Sequence, residues 1–226
     1  MNQDEFFDKA DEKSKVGRFL GKAEVRRQYD ERMKALAVPE LRRHFSEADA
    51  LRLVEYFSQT PSVGTQEEVG MPYDLRKLSP EAREYLAREV QGRRIIEIGD
   101  AGRKRNKELL LELGAQSYES TDPKSGGIDG LSYLMRQPDE SAIVTSFGVL
   151  DWGVLYGDCR ESRVLDRYNC LLGENIARVT PRGAITLHGA DYIDDLENAG
   201  FKRDADAPRE LDTWTPQRGG LIVMRK

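Results

Sequence analysis

Only two of the 226 residues are cysteine and only two are histidine, and that scarcity excludes several classes of chemistry. Cys159 and Cys170 are too few for a secreted disulfide framework and lack the spacing of a zinc site, so they read as reduced thiols. Long apolar runs are missing as well. No stretch approaches the roughly 20 residues that a membrane-spanning helix needs. The acidic opening Met1–Glu5 lacks the basic-then-apolar order of a secretory leader, so a cytoplasmic protein is expected, without membrane association. Excess charge of one sign is also absent. A third of the residues are charged, yet the net charge is only −5, and the signs are interspersed in both halves. A dedicated duplex-binding surface is normally basic on one face, so there is no strong nucleic-acid signal.

What remains is a chain long enough to bury a sizeable core. Residues 1–92 read as a helical N-terminal extension. Val16–Leu36 carries a sparse apolar stripe of Phe19, Leu20, Val25, Tyr29 and Met33 at helical spacing. A second helix opens at Ser46, with Asp49 at the third helical position and Leu51, Val54 and Phe57 on the expected buried face. The third opens at Ser79-Pro80-Glu81 and ends near Gly92: serine is the cap, and proline fits the first helical position because its missing N–H is unpaired there anyway. Between the last two lies a long aperiodic loop, Thr60–Tyr73, which reads either as a surface connector or, over Pro61–Tyr73, as a lid.

From Arg93 to Lys226 strands and helices alternate. Ile95–Ile98 is an expected buried strand, Leu109–Leu113 a helix stopped by Gly114, and Ser117–Thr121 a second strand. A short helix over Leu131–Met135 precedes a strand at Ala142–Ser146. Tyr168–Val179 is a helix, Ala184–His188 a strand, Tyr192–Ala199 a helix ended by Gly200. Phe201 starts a strand that pairs with Gly220–Met224. Repeated β-α-β units predict a mostly parallel sheet covered on both faces. Within it, Glu97-Ile98-Gly99-Asp100-Ala101-Gly102 closes a strand with an acid and glycines and opens into a helix, the arrangement that brings backbone amides to a nucleotide-like ligand.

The order of these elements resembles the class I S-adenosylmethionine-dependent methyltransferases. The resemblance rests on Ile95–Gly99 as first strand and acidic-x-Gly signature, Tyr118–Asp122 as second strand with its terminal acid, Asp129-Gly130-Leu131 leading towards Ile143–Leu150 as the fourth, and Asn175–Ala184 as the helix and Pro-x-Gly turn before the fifth. It implies a Rossmann-like α/β fold with an antiparallel C-terminal strand, S-adenosylmethionine as cofactor, no metal, and methyl transfer to a small or medium acceptor. By the same resemblance Gly99 and Gly102 shape the cofactor turn beside Asp100, and Glu97 supports it. Asp122 would hold the ribose hydroxyls, and Asp129 would lie near the adenine amino group with Gly130 offering its amide. Ser146 and Phe147 would lie beside the sulfonium and the acceptor.

Two positions depart from the family pattern. Ala101 and Arg103 stand where further turn glycines are usual. Only six residues separate Asp122 from Asp129, where the family inserts a helix and a strand, so either the sheet lacks that third strand or one acid is misassigned. This shortening also motivates a second reading, a catalytically degenerate methyltransferase fold used as a binding or interaction module. A nicotinamide oxidoreductase is a third, against which the missing G-x-G-x-x-G spacing counts.

Individual residues carry competing readings. Arg103-Lys104-Arg105-Asn106-Lys107 places cations at a helix start, against its dipole; they serve either an anionic ligand or a solvated face. His188, at the carboxyl end of a strand, is a candidate general base with a pKa near neutrality, or else an ordinary hydrogen-bonded core histidine. His44 reads as a surface residue. Neither an Asn-Pro-Pro-Tyr-type signature nor a cysteine follows the Ala142–Ser146 strand, which disfavours amino methylation of nucleic acids and a covalent C5-pyrimidine mechanism.

Overall fold

Five residues, Arg94–Ile98, form β1, an interior strand of the sheet, and the isoleucines explain why: Ile95, Ile96 and Ile98 are all fully buried. Adjacent isoleucines that point to opposite faces and are both buried belong to a strand covered on both sides. In the computed structural model of the protein the described residues are 31, 34–59, 75–99, 106–121, 128–147, 162–190, 193–213 and 220–226. Residues 34–41 are helical and are termed α1. There follow α2 (Glu47–Gln59), a 3-10 turn (Leu75–Lys77), α3 (Pro80–Val90), β1, α4 (Lys107–Glu112), β2 (Ser117–Thr121), α5 (Gly130–Met135), β3 (Ile143–Phe147), α6 (Ser162–Val179), β4 (Ile185–Ala190), α7 (Asp194–Asn198), β5 (Lys202–Arg203) and β6 (Gly220–Arg225).

The six strands lie in the order β2-β1-β3-β4-β6-β5. Strands β1 to β4 run parallel, whereas β6 pairs antiparallel with both β4 and β5. One face presents Ile96, Ile98, Val144, Ile222 and Met224 to a core shared with α1, α2, α5, α6 and α7. The opposite face presents Ile95, Ile143, Ile185, Leu187, Leu221 and Val223 to α3 and α4. The expected mostly parallel sheet with an antiparallel C-terminal strand is therefore present. Packing also runs across residue 92: Ala37, Leu41, Leu53 and Val54 are buried in the same core as β1, and α3 covers the sheet itself.

Local chemistry fixes the helix starts. Ser46 Oγ accepts from the Asp49 amide at 3.2 Å and donates to the Asp49 carboxylate at 2.7 Å; Ser79 Oγ accepts from the Ala82 amide with Pro80 at the first helical position. Each satisfies a helical amide that would otherwise lack a partner. The buried face of α2 differs from expectation: Ala50, Leu53 and Val54 point inward while Leu51 is 38% exposed. Val54 is buried as expected, and Ala50 and Leu53 join it in the shared core in place of Leu51. Helix α6 starts at Ser162, earlier than Tyr168. Its Gly173 is required by packing, since a Cβ there would stand 2.6 Å from the Asp195 carbonyl of α7. The strand expected from Phe201 is only two residues long.

Residues 1–30, the Thr60–Tyr73 loop, most of Arg103-Lys104-Arg105-Asn106-Lys107 and Cys159 lie outside the described residues in whole or part.

Candidate functional site

In the order β2-β1-β3 the chain leaves β1 towards one side and returns on the other. The carboxyl ends of β1 and β3 therefore flank a topological switch point, where open α/β sheets leave a crevice for ligands. Gly99 stands at the end of β1 with φ of 77°, a left-handed conformation that favours glycine, and its amide donates to Thr121 O at 2.8 Å. Glu97, one turn of the pleat earlier, is buried and accepts from the Tyr118 hydroxyl at 2.7 Å. That contact meets the requirement that a buried carboxylate be hydrogen-bonded.

Beyond β2 the connection is short. Thr121 Oγ1 donates to Ile128 O at 2.6 Å and accepts from the Ile128 amide at 3.2 Å. This clasp returns the chain to the end of β2 within six residues, too few for a helix and a strand. Among the described residues β2 is accordingly the edge of the sheet.

Asp129 follows the clasp and is 1% exposed. Its Oδ1 caps α5 by accepting from the Ser132 amide at 3.0 Å and also accepts from the Tyr168 hydroxyl at 2.8 Å, while Oδ2 has no partner. Burial raises the carboxyl pKa against these hydrogen bonds, and burial together with the Asp129 charge raises that of Tyr168. Gly130 packs tightly on β1: a Cβ would meet Ile98 Cβ and Cδ1 at 3.2 Å.

Ser146 and His188 pair across β3 and β4. Both are fully buried, with Ser146 Oγ 2.6 Å from His188 Nδ1. The other ring nitrogen, Nε2, lies 2.6 Å from Thr186 Oγ1, whose hydroxyl donates to Val144 O. Desolvation pushes the imidazole pKa down to about 3. A ring with both nitrogens engaged and so low a pKa is poorly suited to take a proton from an acceptor. The hydrogen-bonded core histidine is the reading this geometry favours over the general base.

The structure thus brings Glu97, Gly99, Asp129, Gly130 and Ser146 to one end of three neighbouring elements. Asp100, Gly102 and Asp122 lie outside the described residues, and Phe147 is placed by its backbone alone, at the end of β3. His44 is exposed, as expected, and its carbonyl accepts from Arg167. Sequence reasoning missed Tyr168, Thr121 and Thr186. Thr186 had a signal, since it precedes His188 by two residues on one strand and must share its face. Tyr168 reaches Asp129 from 39 residues away, and no local pattern announces that contact.

A parallel sheet ordered β2-β1-β3-β4 and continued by an antiparallel β6 and β5 decides the architecture. Among the described residues this is the Rossmann-like sheet expected from the resemblance to class I methyltransferases, with no strand beyond β2. No family model and no curated protein matches the sequence. Among solved structures it is similar to a TehB-like S-adenosylmethionine-dependent methyltransferase from Corynebacterium glutamicum, at 19% identity over 65% of this chain and 86% of that one, TM-score 0.40. The aminoglycoside resistance methyltransferase NpmB1 is similar at 14% identity over 63% of this chain and 92% of its own, TM-score 0.33. A possible exported protein from Bordetella parapertussis matches over 90% of this chain and 95% of its own, at 13% identity and TM-score 0.39. These are distant likenesses, and the strand order carries the fold assignment. Among the described residues no helix is long and apolar enough to cross a membrane, and no cluster of acids, histidines and cysteines forms a metal site.

Proposed function

We propose that this chain binds S-adenosylmethionine at the carboxyl edge of β2, β1 and β3 and transfers its methyl group to a small or medium acceptor in the cytoplasm. The observation that carries this reading is the unpartnered, fully buried Asp129 Oδ2 beside the switch point. A buried carboxylate oxygen without a donor is costly, and a ligand amino or hydroxyl group would remove that cost. The donor set fits the cofactor. Asp129 would accept from the adenine amino group with the Gly130 amide beside it, and Asp122 would accept from the ribose hydroxyls. Glu97, Gly99, Asp100 and Gly102 would form the turn for the methionyl part, with Ser146 and Phe147 near the reacting end. When bound, the cofactor supplies an electrophilic methyl group on a sulfonium. The contribution of the protein is proximity and alignment, which alone account for several kcal/mol of many barriers (~7 kcal/mol or more in favourable cases).

A second reading keeps the cofactor fold without turnover, as a binding or interaction module. The short Thr121–Ile128 clasp favours it, because it removes a strand from the pocket wall. Titration calorimetry with S-adenosylmethionine and S-adenosylhomocysteine tests the proposal, and mass spectrometry of ligand retained through purification tests it independently. Saturable heat with both compounds is the expected result. Absence of heat at high protein concentration overturns cofactor binding, while binding without turnover of any acceptor tried favours the interaction module.

A further inference from the structure

Beneath the carboxyl edge, four groups form one directional hydrogen-bond line across β3 and β4. Val144 O can only accept, so the Thr186 hydroxyl must spend its single proton there. Thr186 Oγ1 can then only accept from the ring, which places a proton on His188 Nε2. The remaining nitrogen, Nδ1, is the acceptor of a neutral imidazole, and the Ser146 hydroxyl at 2.6 Å supplies its proton. Both partners of the ring are neutral hydroxyls, and its antiparallel neighbour across β6 is the buried Ile222. Among these groups no carboxylate is present to stabilise an imidazolium.

We propose that His188 is a positioning residue, held as the Nε2–H tautomer by Thr186, which turns the Ser146 hydroxyl proton inward and fixes the carboxyl end of β3. Ser146 then offers only lone pairs to anything bound against it, so it selects for hydrogen-bond donors over acceptors. The orientation of β3 at the switch point is set from inside the sheet rather than by contacts with ligand. The consequence for ligand binding rests on the cofactor reading above; the tautomer and the direction of the line do not.

The chain has only two imidazoles, which makes the test direct. Long-range proton–nitrogen correlation spectra of the nitrogen-15-labelled full chain near neutral pH report the tautomer of each ring, with His44→Gln assigning the signals. The expected result is an Nε2-protonated His188 whose ring proton exchanges slowly, beside an averaging, exposed His44. An Nδ1–H tautomer, or averaging of His188 like that of His44, overturns the line. A second arm measures the dissociation constant for S-adenosylmethionine in Ser146→Ala, His188→Gln, the double variant and Thr186→Val. Each of the first two is expected to weaken binding roughly tenfold, and the double no more than the weaker single, because both break one line. Thr186→Val, which keeps the side-chain shape, guards against a His188 variant that does not fold; it is expected to let the His188 tautomers average. Wild-type affinity in a folded His188→Gln overturns the positioning role. If the wild-type chain binds no S-adenosylmethionine at all, the cofactor reading fails while the spectra still decide the tautomer.

Discussion

The two ends of the parallel sheet solve the problem of polar burial in opposite ways. At the amino end, charges are paired in full. Arg94 grips Glu119 through Nε at 2.9 Å and Nη2 at 2.7 Å, with Tyr133 and Gln137 completing the group. Arg225 bridges Asp204 and Glu89, and Tyr85 donates to the same Asp204 at 2.6 Å. These partners hold the Asp204 and Glu119 carboxyls below their usual range against desolvation, while burial first, and then the neighbouring carboxylates, raise Tyr85 and Tyr133. At the carboxyl end the buried groups include hydroxyls, a neutral histidine, Glu97 held by a tyrosine hydroxyl, and Asp129, an acid raised by burial whose Oδ2 is left without a partner. Bidentate charge pairing close to solvent confers stability. An unsatisfied buried oxygen is the kind of group for which a structural or functional reason is sought.

The largest expected effect probes the carboxyl end by pH. The folded pKa of His188 is depressed to about 3 from an ordinary value of 6.5, so the unfolded chain binds more protons between those limits. Stability is then fully present above pH 6.5 and is lost as pH falls towards 3, by on the order of 4 kcal/mol across the window. Asp204 and Glu119 act in the same direction at lower pH, whereas Asp129, with its raised pKa, acts in the opposite one: its contribution is lost as pH rises. Comparing urea midpoints of wild type and His188→Gln from pH 7 to 4 isolates the histidine. Equal slopes in the two proteins would contradict the buried, neutral ring.

Next in size is the amino end. Arg225→Met leaves Asp204, whose side chain is 4% exposed, without its cation. A loss of about 3 kcal/mol is expected at neutral pH, with cofactor affinity unchanged. A parallel loss of affinity would show that the two ends are coupled rather than separate.

A smaller change sharpens the role of Gly130. Its Cβ would press on Ile98, so Gly130→Ala is expected to cost roughly 1–3 kcal/mol by overpacking, read from thermal midpoints. Neutral behaviour would mean that β1 yields at this point. The smallest effect is expected from Ser79→Ala, which removes the cap of α3 and should cost about 1 kcal/mol.

Much of this architecture was legible because its signals are local. Ser46, Ser79 and Pro80 announce helix starts, Gly114 and Gly200 announce stops, and isoleucine runs mark strands buried on both faces. The pair Glu97 and Gly99 was legible as the end of a buried strand, and Asp129 as an acid that the fold brings near it. The edge strand was the open question, and among the described residues β2 is the edge, with Thr121 clasping Ile128 across the short connection. Leu51 misled because a stripe one position wide does not say which neighbour it meets. His188 carried two readings because a strand-end histidine looks the same in sequence whether its nitrogens face solvent or are held by hydroxyls.

By itself the sequence determined the order and type of the elements from Arg93 onward, since periodicity, caps and breakers act within a few residues. Tertiary structure alone decided which polar atoms are satisfied. Tyr168 reaches Asp129 from 39 residues away and Ser146 reaches His188 from 42, so the orphaned Oδ2 and the locked imidazole exist only once the strands are paired and the helices have closed over them. Hydrogen bonds between distant residues depend on packing geometry, which no local pattern encodes.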